Sequence, residues 1–421
     1  MKILLKNILI QDKYSSFNQQ KVDLLISNGI IEKIEDNINS DADIVFNQPN
    51  TIVSQGWVDI FSHFSDPGFE QNETIGSGSK AAASGGFTRV FCLPNTNPEI
   101  SNKAQVNYIE DKAKEQNIFI HPIGAVSKKI EGKEIAEMYE MFDAGAIAFS
   151  DGLKPIQSSA MLLKALQYVK SFNGTIIQLP IDDSFSKYGF MNEGAISTQI
   201  GIPGTPTFAE NLMIKRDIEL LKYTNSKLHI SGVSTAEGIF EIKKAKQEGF
   251  NISCSVTPHH LLFCDEDLHD YNTNYKVNPV LRTKKEMNLL RECVVNGEVD
   301  CIASHHIPIH SDFKECEFDK AHYGMIHLQT LFSSLNSAMP SLSTGLLVDM
   351  LSNNQRELFN IPTAKIELGN VAELTMFNRE EIFCLNKENN KSKSLNSALF
   401  NLELKGKVFG TVNKGKLILN N

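Results

Sequence analysis

Residues 56–98, GWVDIFSHFSDPGFEQNETIGSGSKAAASGGFTRVFCLPNTNP, hold a β-rich apolar run, a helical stretch of small residues and a second β-rich run. The Gly85-Gly86 pair between helix and strand suits a helix C-cap, where glycine tolerates left-handed backbone, and not a phosphate loop. The same unit recurs along the chain. Apolar runs fall at 51–61, 86–95, 118–126, 146–152, 174–180, 227–233, 251–260 and 299–306. Linkers such as NKAQVNYIEDKAKEQ, SAMLLKALQYVKSF and TAEGIFEIKKAKQEG repeat their apolar residues at three and four, the spacing of one helix face. Eight strand–helix units over about 310 residues predict an α/β protein, a (β/α)8 TIM barrel, with a doubly wound open sheet as runner-up.

Working outward, residues 1–53 alternate short runs (KILLKNILI, KVDLLISNGIIEKI, ADIVF) with polar turns, and short strands return after about residue 365 (ELTMFN, IFCLN, KGKVFGTVNKGKLIL). The expected organisation is a barrel over 54–365 beside one small β-sandwich domain built from 1–53 and 366–421.

The 421 residues carry 41 Lys+Arg against 50 Asp+Glu, a net charge of −9. That balance leaves no cationic surplus for nucleic acid, although a small anion needs only one or two local cations. No apolar run reaches the roughly 18–20 residues of a membrane span, and MKILLKNILIQDKY reads as a first strand, not a signal peptide. Seven cysteines without a C-x-x-C pair point to reduced thiols and a cytoplasmic setting.

Barrel enzymes work at the C-terminal ends of their strands. Those ends read Phe61-Ser62-His63, Pro94-Asn95-Thr96, Ser150-Asp151-Gly152, Gln178-Leu179-Pro180, Ser231-Gly232-Val233, Pro258-His259-His260 and Ser304-His305-His306. Together with 56–98, the strings MNEGAISTQIGIPGTPTFAE, VTPHHLLFCDEDL, NYKVNPVLRT and SKSLNSALFNLELKGKV give nearly the whole chain a sequence that resembles dihydroorotase, of the amidohydrolase superfamily. The resemblance implies an amidohydrolase-type barrel and, in pyrimidine biosynthesis, hydrolysis of the cyclic amide dihydroorotate at a divalent-metal centre.

Position by position, however, the family's chemistry is altered. Its first-strand His-x-His stands here as Phe61 and His63, and the Arg that grips the substrate carboxylate is Ser65. Asp151 is followed by Gly152 where the family has a second Asp, and the fifth-strand His is Leu179. The sixth-strand His is Gly232; His229, three residues earlier, is expected to face outward by the strand's period of two. The eighth-strand Asp, ligand and general base in the family, is His305, and the second substrate-contacting His is Ile309, with His310 displaced by one. Asn95 and Asn278 are kept, either to bind substrate or because their loops need them. His259 and His260 read as packing or hydrogen-bonding residues.

A zinc hydrolase needs about three protein ligands and an activated water. His63, Asp151 and His305 are the residual candidates, sufficient for no ion or at most one divalent ion, zinc, and not for two. The resemblance therefore implies one of three things. The first is an inactive homologue kept as a structural or regulatory partner of aspartate carbamoyltransferase. The second is an active metal-dependent cyclic amidohydrolase with a rebuilt mononuclear site, and the third a metabolite sensor without turnover. Resemblance also makes a homodimer an expected assembly.

Overall fold

The computed structural model describes residues 1–420. Trp57–Ser62 (β1) is buried at every position, as expected of a parallel strand covered on both faces. It is followed by β2 (Phe87–Cys92), β3 (Phe119–Gly124), β4 (Ala148–Phe149), β5 (Ile176–Gln178), β6 (Leu228–Ile230), β7 (Ile252–Val256) and β8 (Cys301–Ile302). Each pairs in parallel with the next, in chain order. Seven of the eight runs read from the sequence contain a whole strand, and the first, 51–61, holds all of β1 but Ser62.

The sheet curls until its edges meet just past β8. Ser62 bridges His306 in parallel, and His63 N–H donates to His306 O at 2.9 Å. Beside this seam the buried Asp59 carboxylate accepts from Ser304 N (2.6 Å), Ser304 Oγ (2.8 Å) and Ser62 Oγ. The architecture is thus a near-closed (β/α)8 barrel and not an open sheet.

Helices start where side chains replace the missing backbone acceptors. Thr74 and Ser77 form a reciprocal capping box on Ile75–Ser84, and Asn102, Ser158 and Thr235 cap three later helices. At the other end of Ile75–Ser84, Gly86 has φ +94°, and a Cβ there would press on the Trp57 ring. Alternate strand residues serve two layers. Ile176, Leu228, Ile230 and Ile252 pack outward on helix residues such as Leu166, Ile214 and Ile242. Val58, Ile60, Phe61, Phe91, Ile177 and Leu179 pack inside the barrel with Phe359.

Both ends of the chain build a separate, mostly antiparallel eight-stranded sheet. Five strands lie between Lys2 and Gln55; Leu374–Cys384, Glu403–Asn413 and Lys416–Leu419 supply the rest. The two halves join where Ile52–Gln55 pairs antiparallel with Leu374–Phe377. Buried Glu373 fastens this sheet to the barrel, accepting from Arg89 (2.9 Å), Thr88 (2.7 Å) and Arg356. All seven cysteines are free thiols. Among the described residues, no helix is long and apolar enough to cross a membrane.

Candidate functional site

Each polar residue at the strand ends has a definite partner. His63 follows β1. Its Nε2 lies 2.9 Å from Asn95 O, which can only accept, so the proton sits on Nε2. Its Nδ1 then accepts from Ser65 Oγ at 3.1 Å. Ser65 thus occupies the second ring nitrogen of His63. Burial pushes the His63 pKa down to about 4, so the ring is neutral near pH 7.

Asp151, past β4, holds the backbone that follows β3. Its Oδ1 accepts from Val126 N and Ser127 N, each at 2.9 Å, and its Oδ2 from Ser127 Oγ at 2.5 Å. Burial raises its pKa, while Ser127 and Val126 pull it back toward the ionised form. The Asn95 amide is likewise engaged, donating to Asp151 O (3.0 Å) and accepting from Leu153 N (2.9 Å). Asn95 thus staples the β2 end to the β4 end. Asn278 borders a small cavity together with Asp182, Glu210 and Arg282.

His305 lies beyond β8 with φ +45°. Its ring stacks on Phe61 (centroids 4.2 Å apart, 23° between planes), and Nε2 meets Ser231 Oγ at 2.9 Å. A Cβ on Gly232 would lie 3.0 Å from His305 Nε2, with Cε1 closer still, and Gly232 itself has φ +74°. The imidazole from position 305 therefore fills the space a side chain at 232 would need. Phe61, Gly232 and His305 form one packed unit. Leu179 joins the same apolar interior as Phe61, and Ile309 borders a separate cavity of about 140 Å³.

His229 departs from expectation. Leu228 and Ile230 face the helices, so His229 points into the barrel, where its ring nitrogens meet Ser253 Oγ (2.8 Å) and Ser255 Oγ (3.1 Å). The parity argument fails because Gly232 lies past the strand's last residue, Ile230, in a left-handed turn where alternation no longer holds. His260 is bonded to Thr257 Oγ1 (2.7 Å) and Pro279 O (3.0 Å). His259 packs between His260 and His327 with neither nitrogen hydrogen-bonded.

His63, Asp151 and His305 do not converge. Among the described residues no three His, Cys, Asp or Glu side chains are grouped to hold a metal ion. The donors that remain do not fit the metal centre that the fold implies, and the arrangement is compatible with at most one zinc ion.

Other residues at the mouth were not singled out in the sequence. His306 Nδ1 accepts from His327 N (3.1 Å), and its Nε2 sits 3.4 Å from the Glu73 carboxylate. Glu73 in turn holds residues 392–393 through Ser392 Oγ and Lys393 N (3.0 Å), strapping the small sheet's loop across the mouth. Glu210 accepts from Arg282 (3.1 Å), Ser234 N (2.9 Å) and Thr235 N (3.0 Å). A buried acid far from its basic partner in sequence leaves no local periodicity to find it by.

The barrel, its seam and the sheet from the chain ends define an amidohydrolase-fold protein. The L-hydantoinase (dihydropyrimidinase) of Arthrobacter aurescens superposes with TM-score 0.85 at 22% identity, over 99% of this chain and 96% of that one. A D-hydantoinase (dihydropyrimidinase) from Thermus sp. gives 0.83 at 17%, over 99% and 95%. A family described as dihydro-orotase-like matches residues 50–238. Dihydroorotase of Caldanaerobacter subterraneus subsp. tengcongensis is 38% identical over 99% of this chain and 97% of its own length. Dihydroorotase of Aquifex aeolicus is 36% identical over 99% of both. The chain belongs to the dihydroorotase family.

Proposed function

We propose that this member of the dihydroorotase family has given up hydrolysis and serves as a structural or regulatory partner of aspartate carbamoyltransferase. The reading rests on one observation above all: the side chains at the family's ligand positions are built into the scaffold. Phe61 and His305 stack over Gly232, and Ser65 occupies His63 Nδ1. Asp151 ties down residues 126–127. A hydrolytic metal would require several of these contacts to break at once.

The test has two parts. Purified protein supplied with zinc is analysed for bound metal and for dihydroorotate hydrolysis; the expected result is less than one tightly held ion per chain and no turnover. Ordinary turnover would establish the mononuclear enzyme instead. Light scattering on a mixture with aspartate carbamoyltransferase then reads the partnership. A joint species is expected, with interface burial above about 1,000 Å² if the complex is stable. Separate elution at micromolar concentration would remove the partner role. Thermal stabilisation by dihydroorotate without turnover would favour the sensor.

A further inference from the structure

The helix Phe208–Thr224 precedes β6 on the outside of the barrel. Its inner face is buried through residues such as Ile214, Ile218 and Leu221. Its exposed positions are Phe208, Leu212, Lys215, Glu219 and Tyr223, spaced at three and four, so they form one stripe about 22 Å long. Phe208 is 53% exposed, Leu212 49% and Tyr223 76%. The Phe185 and Phe208 rings meet edge to face, centroids 5.2 Å apart, and the adjoining helix Ala236–Gln247 adds Phe240, 61% exposed. The helix Lys284–Val295, by contrast, turns mainly polar residues outward: Lys284, Lys285, Asn288 and Glu292. A single exposed apolar residue is ordinary, whereas a contiguous stripe marks a surface that is covered.

The charges on the stripe are matched within the chain. Lys215 pairs with Glu237 (2.9 Å) and Glu241 (3.4 Å), and Glu219 with Lys222 (3.4 Å). The helix carries three basic and three acidic residues, a net charge of zero in a chain of −9. Two copies of this acidic chain can therefore meet here without stacking like charges. A partner chosen by charge would find no net charge to grip.

We propose that the stripe is a two-fold interface with a second copy of this chain, the two Phe208–Thr224 helices packed antiparallel. Centred on position 217, this arrangement sets Lys215 of each copy opposite Glu219 of the other, and Leu212 opposite Tyr223. It also brings the positive end of each helix dipole beside the negative end of the other. The area agrees. A standard interface takes about 800 Å² from each partner and a homodimer interface is about 65% apolar, so about 500 Å² of apolar surface is needed. At roughly 200 Å² for each large side chain, the exposed fractions of Phe185, Phe208, Leu212, Tyr223 and Phe240 supply roughly 500 Å². The stripe lies in the outer helix layer and not at the strand ends, so its test is independent of the metal and turnover measurements.

Sedimentation velocity on the full chain supplies that test. At micromolar concentration the wild type should run at twice the mass of one chain. Leu212→Glu, at an exposed position, should leave the urea midpoint unchanged and raise the dimer dissociation constant roughly 100-fold, about tenfold for each copy. The register is read by cross-linking. Positions 212 and 223 are about 16 Å apart along one helix, too far for a disulfide within a chain. A Leu212→Cys, Tyr223→Cys double variant should therefore form a covalent dimer on mild oxidation, and neither single variant should. A monomeric wild type overturns the proposal, as does a dimer indifferent to Leu212→Glu. A double variant that cross-links no better than the singles refutes the antiparallel register. If the wild type is monomeric alone and Leu212→Glu abolishes a complex with aspartate carbamoyltransferase, the stripe belongs to that partner instead.

Discussion

Replacing Gly232 by alanine should expose how tightly the altered ligand positions are coupled. The backbone there has φ +74°, which costs an L-residue about 1–2 kcal/mol. The new Cβ would also meet the His305 ring inside van der Waals contact, and overpacking of this kind adds about 1–3 kcal/mol. Gly232→Ala should therefore destabilise the protein by about 2–5 kcal/mol. In a His305→Ala background the ring is gone and only the backbone cost of about 1–2 kcal/mol remains. Urea unfolding of wild type, both single variants and the double variant gives the cycle, with an expected coupling of about 1–3 kcal/mol. Additivity within about 0.5 kcal/mol would refute the claim that His305 occupies the space beside position 232. The same geometry dictates the order of any attempt to restore the family's residues: Gly232→His cannot be accommodated until His305→Asp has removed the imidazole.

Three further outcomes are expected. Phe61→Ala removes the platform beneath His305 and leaves a void in the barrel interior, costing about 3–5 kcal/mol in urea unfolding; a loss below about 1 kcal/mol would contradict the stacked packing. Asp151→Asn should lower stability by about 1–3 kcal/mol and speed amide exchange at 126–127 while leaving bound zinc unchanged, and a drop in zinc would return Asp151 to the ligand set. His63 and His260 at about 4, with His229 and His327 at about 3, all prefer the neutral ring when folded. Their destabilisation is absent above the ordinary histidine value of 6.5 and grows by about 1.4 kcal/mol per pH unit per ring as pH falls toward 4. The urea midpoint should fall steeply between about pH 7.5 and 5.5, and a constant midpoint would show that these rings are not buried as described.

The barrel was legible because each strand is buried on both faces and so appears as a continuous apolar run, separated from the next by an amphipathic helix. The small sheet was legible from its short alternating runs, although nothing local revealed that residues 52–55 pair with 374–377. The positions read as altered ligands were named from the sequence one by one. What they contact could not be, because the partners lie far apart in sequence: Ser65 against His63 is local, but Phe61 on His305 spans most of the barrel. The His229 expectation failed for a reason visible only in the backbone, the left-handed turn at Gly232. Nothing local in the sequence marks Lys276 and Lys314 as buried, and only the fold shows that three loops pack around them.

The seam between Ile52–Gln55 and Leu374–Phe377 also sets a timetable for synthesis. About 320 residues separate the two strands, which at ribosomal rates is roughly 15–60 s of elongation. During that interval Ile3, Leu5, Ile8 and Ile10 have emerged, yet Met376 and Val412, which share their core, have not been made. The nascent chain must carry a half-finished sheet while the barrel assembles behind it. Such an exposed apolar face is where a chaperone that binds emerging chains would be needed most, and a slower message between codons 55 and 374 would lengthen that need.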